Sequence, residues 1–287
     1  MSQTIAFIGQ GFIGKAYSDE FEERGISVIR YGLEEPYVQN KQKVSEADIV
    51  FVAVPTPTTK EGFDPSAVYS AVELAKDGAS VVIKSTLIPG TTEKLQSQFP
   101  NKYIFHSPEF LTARRAKEDA KNPQRNIVGC AKDEESYKER ANEILKLLPK
   151  APYEKVCSAK EAELIKYASN CFGYTKVVYF NLLYELSKEI GADWHALREA
   201  IVHDPRIGEE WTKTPDIGSG KTEGRGAGGV CLLKDFAAFR DLYERTCKDD
   251  SKGIELLRSI EEKNIDLLKQ SGKDVEIVDE IYGNERG

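Results

Sequence analysis

Three features of the chain predict an α/β fold, a doubly wound parallel sheet over residues 1–150 followed by a mostly helical domain over 151–287 built on one long helix. Short apolar runs ending in Pro/Gly-rich loops alternate with helical patterns through the first half. A glycine-rich turn joins the first apolar run to the first helix. After about residue 158 the alternation stops and helical periodicity runs unbroken to Gly191.

The first element is the apolar strand in "TIAFIGQGFIGKAYSDEFEERGISVIRYG", followed by a tight turn, a helix and a second strand. The turn reads Gly9-x-Gly11-x-x-Gly14. The first glycine permits the turn, the second lets backbone approach a pyrophosphate, and the third lets helix and strand pack closely. Strand before and helix after are both present, so the segment reads as the start of a Rossmann-like dinucleotide-binding domain. An NAD-binding unit of this kind usually ends its second strand in an acid that holds the ribose; here that place falls at Arg30, Tyr31 or Gly32. Arg30 reads either as a solvated strand end or as a partner for a 2′-phosphate, which leaves NAD and NADP both open.

Next come "ADIVFVAVPTPTTKEGFDPSAV", "ASVVIKSTLIPGTTEKL", "KYIFHSPEF" and "RNIVGCAKD", each an apolar run with a polar loop at its carboxyl end. Sheets of this type bind ligands beyond those ends. Cofactor candidates are therefore Gly9, Gly11, Phe12, Ile13 and Gly14 at the turn, Arg30 and Tyr31 after the second strand, and Val54, Pro55, Thr56, Ser85 and Thr86 farther on. Lys84-Ser85-Thr86 and Ser107-Pro108-Glu109 are also placed at strand ends, and Glu109 stands out as a lone carboxylate before the apolar Phe110-Leu111.

Ser158-Ala-Lys-Glu161 has the spacing of a capping box and opens the long helix. Some thirty residues at 1.5 Å each span about 45 Å, a length that suits a domain link or a dimer interface. Lys166 and Asn170 fall one turn apart on one face of it. A shorter helix ends at Asp204-Pro205, and His195 and His203 near it read as surface or packing residues. "GSGKT" at 218–222 is no P-loop, because its first glycine would fall at Pro215 and no strand precedes it. Residues 248–272 read as a charged amphipathic helix and the tail after them as lacking an element of its own.

Composition narrows the classes. With 287 residues, 40% hydrophobic and 30% charged, the chain is long enough for two cores and typical of a globular protein. A net charge of −7 provides no basic field for nucleic acid or an anionic membrane. No apolar run approaches the roughly 18–20 residues of a membrane span, and the amino terminus has no secretory pattern. Five scattered cysteines without CxxC pairs suit a reducing cytoplasm, and three separated histidines argue against structural zinc. Cys231, in "GRGAGGVCLLKD", is by itself open to two readings: a small buried hydrophobe, or a thiol placed to attack a substrate.

Taken in order, GxGxxG, "VPTP…D", "KST…PGTTEKL", "PEFL", "NPxR", "ELIKYASN", "DPRIG" and "GAGGVCLLKD" resemble the UDP-glucose/GDP-mannose dehydrogenase family from about residue 3 to about 270. The resemblance implies two successive NAD-dependent oxidations that turn the C6 alcohol of a nucleotide sugar into a carboxylate. It implies Cys231 as the nucleophile, Lys166 and Asn170 as the oxyanion pair, and Glu109 as general base, with Phe110 and Leu111 beside the substrate. Thr86 and Asp235 match residues that place water and tune the site, and Lys234 matches a cofactor contact. Arg206 matches an arginine that reaches substrate across a homodimer interface, and Gly226, Gly228 and Gly229 would give backbone room to approach the sugar.

The sequence also departs from that family. A further α/β domain that holds much of the nucleotide is expected to be missing, and a usual second carboxylate is Ala113, beside Arg114 and Arg115. The loop between Arg206 and Cys231 is rich in Gly, Lys and Arg, so Lys221 and Arg225 are expected to supply phosphate contacts instead. Two other readings share these residues: a two-electron hydroxy-acid dehydrogenase of the same two-part design, and a non-catalytic NAD-binding module.

Overall fold

A computed structural model describes residues 3–217 and 222–283, the side chain of Ala113 excepted. Lys221 therefore lies outside the described residues. Contacts divide the chain into two compact units: residues 1–57 with 64–166, and residues 58–63 with 167–287.

In the first unit the chain runs β1 (Ile5–Ile8), α1 (Phe12–Glu23), β2 (Val28–Tyr31) and β3 (Ile49–Val52). The hairpin β4 (Thr58–Thr59) and β5 (Gly62–Phe63) belongs to the second unit; the first resumes with α2 (Ser66–Glu73), β6 (Ser80–Ile83), α3 (Thr91–Gln98) and β7 (Tyr103–His106). It continues with α4 (Ala116–Lys121), β8 (Arg125–Cys130), α5 (Glu135–Leu147) and β9 (Tyr153–Ser158). The seven strands pair in the order β2-β1-β3-β6-β7-β8-β9. Strand order reverses between β1 and β3, the crevice where such sheets take ligands. β1, β3 and β6 are buried on both faces, as their unbroken apolar runs require. Phe7 stacks on Phe51 at 4.7 Å, and Phe21 of α1 meets both rings edge-on.

Two elements differ from the sequence expectation. β8 runs antiparallel to β7, so the sheet is mixed at one edge rather than wholly parallel. β9 has no counterpart among the expected strands, because its alternating, half-exposed residues carry only the weak signal of an edge strand.

The helix α6 (Ala159–Glu189) starts at the expected box: Ser158 N and Oγ both donate to Glu161 Oε2 at 2.8 Å, and Glu161 N donates back to Ser158 Oγ at 3.3 Å. Its first turns, to Lys166, count with the first unit. The second unit adds α7 (Trp194–Val202), α8 (Val230–Thr246), α9 (Ser251–Ser271) and α10 (Val275–Tyr282). α10 corrects the reading of the tail as featureless: Val278 and Ile281 are buried at helical spacing, and Lys273-Asp274 precede it. Tyr174 of α6 stacks on Phe236 of α8 at 4.0 Å. A Cβ at Gly173 would lie 2.8 Å from the Trp211 ring, so the glycine makes room for that indole.

Candidate active site

The glycine turn has the geometry its spacing predicts. Gly9 sits at φ +91° and donates its N–H to Tyr31 O at 2.8 Å; a Cβ there would lie 2.2 Å from Ala53 O. A Cβ at Gly14 would lie 1.8 Å from Gly9 O, whereas at Gly11 nothing stands within 4 Å. The open position is the one meant for a pyrophosphate. α1 has no acidic residue in its first turn and no side-chain cap, so the N–H groups behind Phe12 and Ile13 remain suited to an anion. These features fit a dinucleotide.

Arg30 fits neither of its two readings. Its guanidinium turns back onto α1, 2.7 Å from Asp19 and 2.7 Å from Glu22, so its charge is already matched. Tyr31 is buried. Across the crevice Ser85 Oγ donates to Val54 O at 2.7 Å and accepts from Val54 N at 2.9 Å, tying the ends of β3 and β6 together. Thr56 is buried, Pro55 exposed and Thr86 half-buried.

Beyond β7 lies a buried cluster of ionisable groups. Lys166 Nζ donates to Glu109 Oε1 and to Glu109 O, both at 2.8 Å, with either side chain less than one-tenth exposed. Glu109 Oε2 accepts the Leu111 N–H at 2.7 Å, which fixes the carboxylate at both oxygens. Phe110 lies under the Arg125 guanidinium, 3.7 Å from its ring centre.

Lys84 adds a second buried cation to this cluster. It donates to Ser107 Oγ at 3.0 Å and lies 4.5 Å from the Tyr17 ring centre. Burial pushes it down to about 7, against the attraction of Glu109. His106 is fully buried, and burial together with Lys84 and Lys166 pushes it down to about 3. Burial, then Glu109, raises the Tyr17 phenol well above its usual range. The sequence placed Lys84 at a strand end but did not signal its burial, and His106 and Tyr17 went unnoticed. The available sign was an ionisable residue ending an apolar run, as in "VVIK" and "YIFH".

In the second unit, Cys231 occupies the first turn of α8 and is exposed, while Cys130 and Cys171 are buried and Cys157 and Cys247 half-buried. The buried-hydrophobe reading of Cys231 is thereby excluded. Burial raises the Cys171 thiol and holds those of Cys130 and Cys157 at about 11. α8 has no acidic residue in its own first turn. One turn on, buried Asp235 accepts Asn170 Nδ2 at 2.6 Å and Lys234 Nζ at 2.5 Å.

Other expected residues are engaged elsewhere. Arg206 is exposed and paired with Asp204 at 2.7 Å. Arg225 ion-pairs with Glu185 and bonds Asn181, so its guanidinium is committed within the chain rather than held out for phosphate. The space beside Gly226 and Gly228 is taken by the chain's own Asn264, Lys273 and Asp274. His195 and His203 are exposed, as expected. Among the described residues no group of His, Cys, Asp or Glu could hold a metal ion, and no helix is long and apolar enough to cross a membrane.

Comparison with known proteins supports the same assignment. Residues 37–148 match the NAD binding domain of the UDP-glucose/GDP-mannose dehydrogenase family, and residues 160–265 match its central domain. UDP-glucose 6-dehydrogenase of Streptococcus pneumoniae is 29% identical over 283 residues, which cover 84% of this chain and 70% of that one. The Rickettsia typhi enzyme of the same name is 31% identical, covering 88% of this chain and 56% of that one. A UDP-glucose dehydrogenase structure from Pyrobaculum islandicum aligns with a TM-score of 0.75 at 25% identity, over 94% of this chain and 71% of that one. The chain spans about half the length of most of the curated relatives it matches. The match to the NAD binding domain makes the cofactor NAD, and the matches to both domains place the chain in the UDP-glucose/GDP-mannose dehydrogenase family.

Proposed function

We propose that this protein oxidises the C6 primary alcohol of a nucleotide sugar, UDP-glucose-like, to the carboxylate in two NAD-dependent steps through a thioester on Cys231. The observation that carries the reading is the exposure of Cys231 in the first turn of α8, one turn before the buried Asp235. When bound at the glycine turn and the ends of β3 and β6, NAD supplies the hydride acceptor.

The remaining chemistry falls to the chain's own residues. Cys231 Sγ adds to the aldehyde carbon, and the resulting thiohemiacetal, once oxidised, is a thioester. Lys166 and Asn170, one turn apart on α6, stabilise the oxyanion. Glu109 takes a proton from water as that water opens the thioester, which releases the carboxylate and returns the thiol. Thr86 places the water, Asp235 orients Asn170, Lys234 contacts the cofactor, and Gly228 and Gly229 set the loop that faces the sugar. Arg206 reaches substrate from the partner protomer of a homodimer.

Incubation with a panel of UDP- and GDP-sugars tests this by counting NADH. Two NADH per sugar are expected from the wild type, and Cys231→Ser is expected to lose the second oxidation. Full four-electron turnover by Cys231→Ala would overturn the thioester route. One NADH per substrate, unaffected at Cys231, would assign a two-electron dehydrogenase; absence of NAD binding in calorimetry would assign a binding module.

A further inference from the structure

The glycine-rich loop before Cys231 is gripped by α9 and by the turn between α9 and α10. Arg225 N donates to Ser271 Oγ at 2.9 Å, and Lys273 Nζ donates to Gly226 O at 3.1 Å. Ala227 exchanges both its backbone groups with Asn264, N to Oδ1 at 2.6 Å and O from Nδ2 at 3.1 Å. Gly229 N donates to Asp274 Oδ2 at 2.8 Å. Asn264, Lys273 and Asp274 are all buried.

The fit explains the glycines. A Cβ on Gly228 would stand 2.2 Å from Asp274 Oδ2, and one on Gly226 would stand 2.9 Å from Asn264 Oδ1. Asp274 itself is held at φ +52°, a left-handed conformation that aspartate tolerates at a cost. A buried carboxylate kept in a strained backbone, bonded to the residue that starts the cysteine's helix, asks for a role beyond packing.

Gly229 is the residue before α8, and Cys231 follows two positions later. A helix N-terminus favours negative charge and makes a first-turn cysteine more reactive. A carboxylate bound at that same terminus opposes the thiolate. We propose that Asp274, backed by Lys273, is a positioning residue for Cys231: its carboxylate fixes the glycine turn that presents the thiol, and its charge restrains the thiol's reactivity. The catalytic consequence rests on the reading of Cys231 as nucleophile; the effect on the thiol does not.

The test is the pH dependence of iodoacetamide modification of Cys231 in the full chain, followed by peptide mass spectrometry. Lys234, Asp235, Lys273 and Asp216 are common to wild type and variants, so differences report Asp274. Asp274→Asn keeps the acceptor for Gly229 N–H, suits the left-handed backbone and removes the charge. Its profile is expected to move to lower pH, with modification at pH 7 about three- to tenfold faster. Asp274→Gly removes the acceptor without backbone strain; hydrogen exchange at residues 227–231 is expected to quicken at least about tenfold, while Asp274→Asn keeps its protection. Gly228→Ala is expected to loosen the loop in the same way. An Asp274→Asn profile superimposed on the wild type, or unchanged exchange in Asp274→Gly, overturns the proposal. Neither readout uses a sugar, so failure of the NADH assay and failure of this proposal are separate results.

Discussion

Lys84 shows how much one residue's burial decides. It ends the apolar run of β6, where its ammonium has one hydrogen bond, to Ser107, and a Tyr17 ring face. The pKa is about 7 in the folded chain against an ordinary 10.5. Between those values the unfolded chain holds the extra proton, so this lysine makes stability rise with pH from about 7 to about 10.5, and its charging cost is fully present below 7. Lys84→Met removes that dependence and also the hydrogen bond to Ser107. In thermal melts the variant is therefore expected to fare best against wild type below pH 7, and progressively worse toward pH 10. A difference that stays flat with pH would show that Lys84 is not the titrating group. His106 acts at lower pH: depressed from 6.5 to about 3, it withholds a proton the unfolded chain accepts, so stability falls as pH drops through that window.

At the level of elements, α6 and α3 are joined by one buried carboxylate. Glu163 Oε1 accepts Thr92 N at 2.8 Å and Thr92 Oγ1 at 2.6 Å, and Oε2 accepts Gly90 N at 2.6 Å. α3 has no cap of its own; Gly90 precedes it in the left-handed region, and the long helix supplies the missing acceptor. Glu163→Ala is expected to cost on the order of 2–4 kcal/mol in denaturant unfolding, from unpaired N–H groups and a cavity. Glu163→Gln keeps an oxygen acceptor and is expected to cost less. The Ser158–Glu161 box was legible because it is local in sequence; the Glu163 cap, linking residues more than seventy apart, was not.

For the whole molecule, the exposed apolar residues of α6 matter most. Phe172, Tyr179 and Leu186 repeat every seven residues along the helix, with Leu182 between the last two, and all are exposed in the single chain. A stripe at this spacing suits packing against another helix, consistent with the proposed homodimer. Sedimentation is expected to show twice the 32.1 kDa chain mass. Phe172→Glu with Leu186→Glu is expected to yield a folded monomer with at least about tenfold weaker association, since two charges would be buried unpaired at the interface. A wild-type monomer at high concentration would refute the dimer.

The sequence alone determined the α/β class, the dinucleotide turn, the long helix with its box and the family, because each depends on periodicity or on short spacings that one segment carries. It also brought Cys231, Lys166 and Glu109 into view, through the order of motifs. Only the tertiary structure showed that Cys231 is exposed, that Arg30 is matched by α1 and that β8 turns antiparallel. It alone brought Lys84 and Tyr17 near Glu109, set His106 beside Lys84 and Lys166, and filled the space beside the loop glycines with Lys273 and Asp274. Burial, ion pairing and close approach depend on partners distant in the chain, and no local pattern encodes which partner arrives.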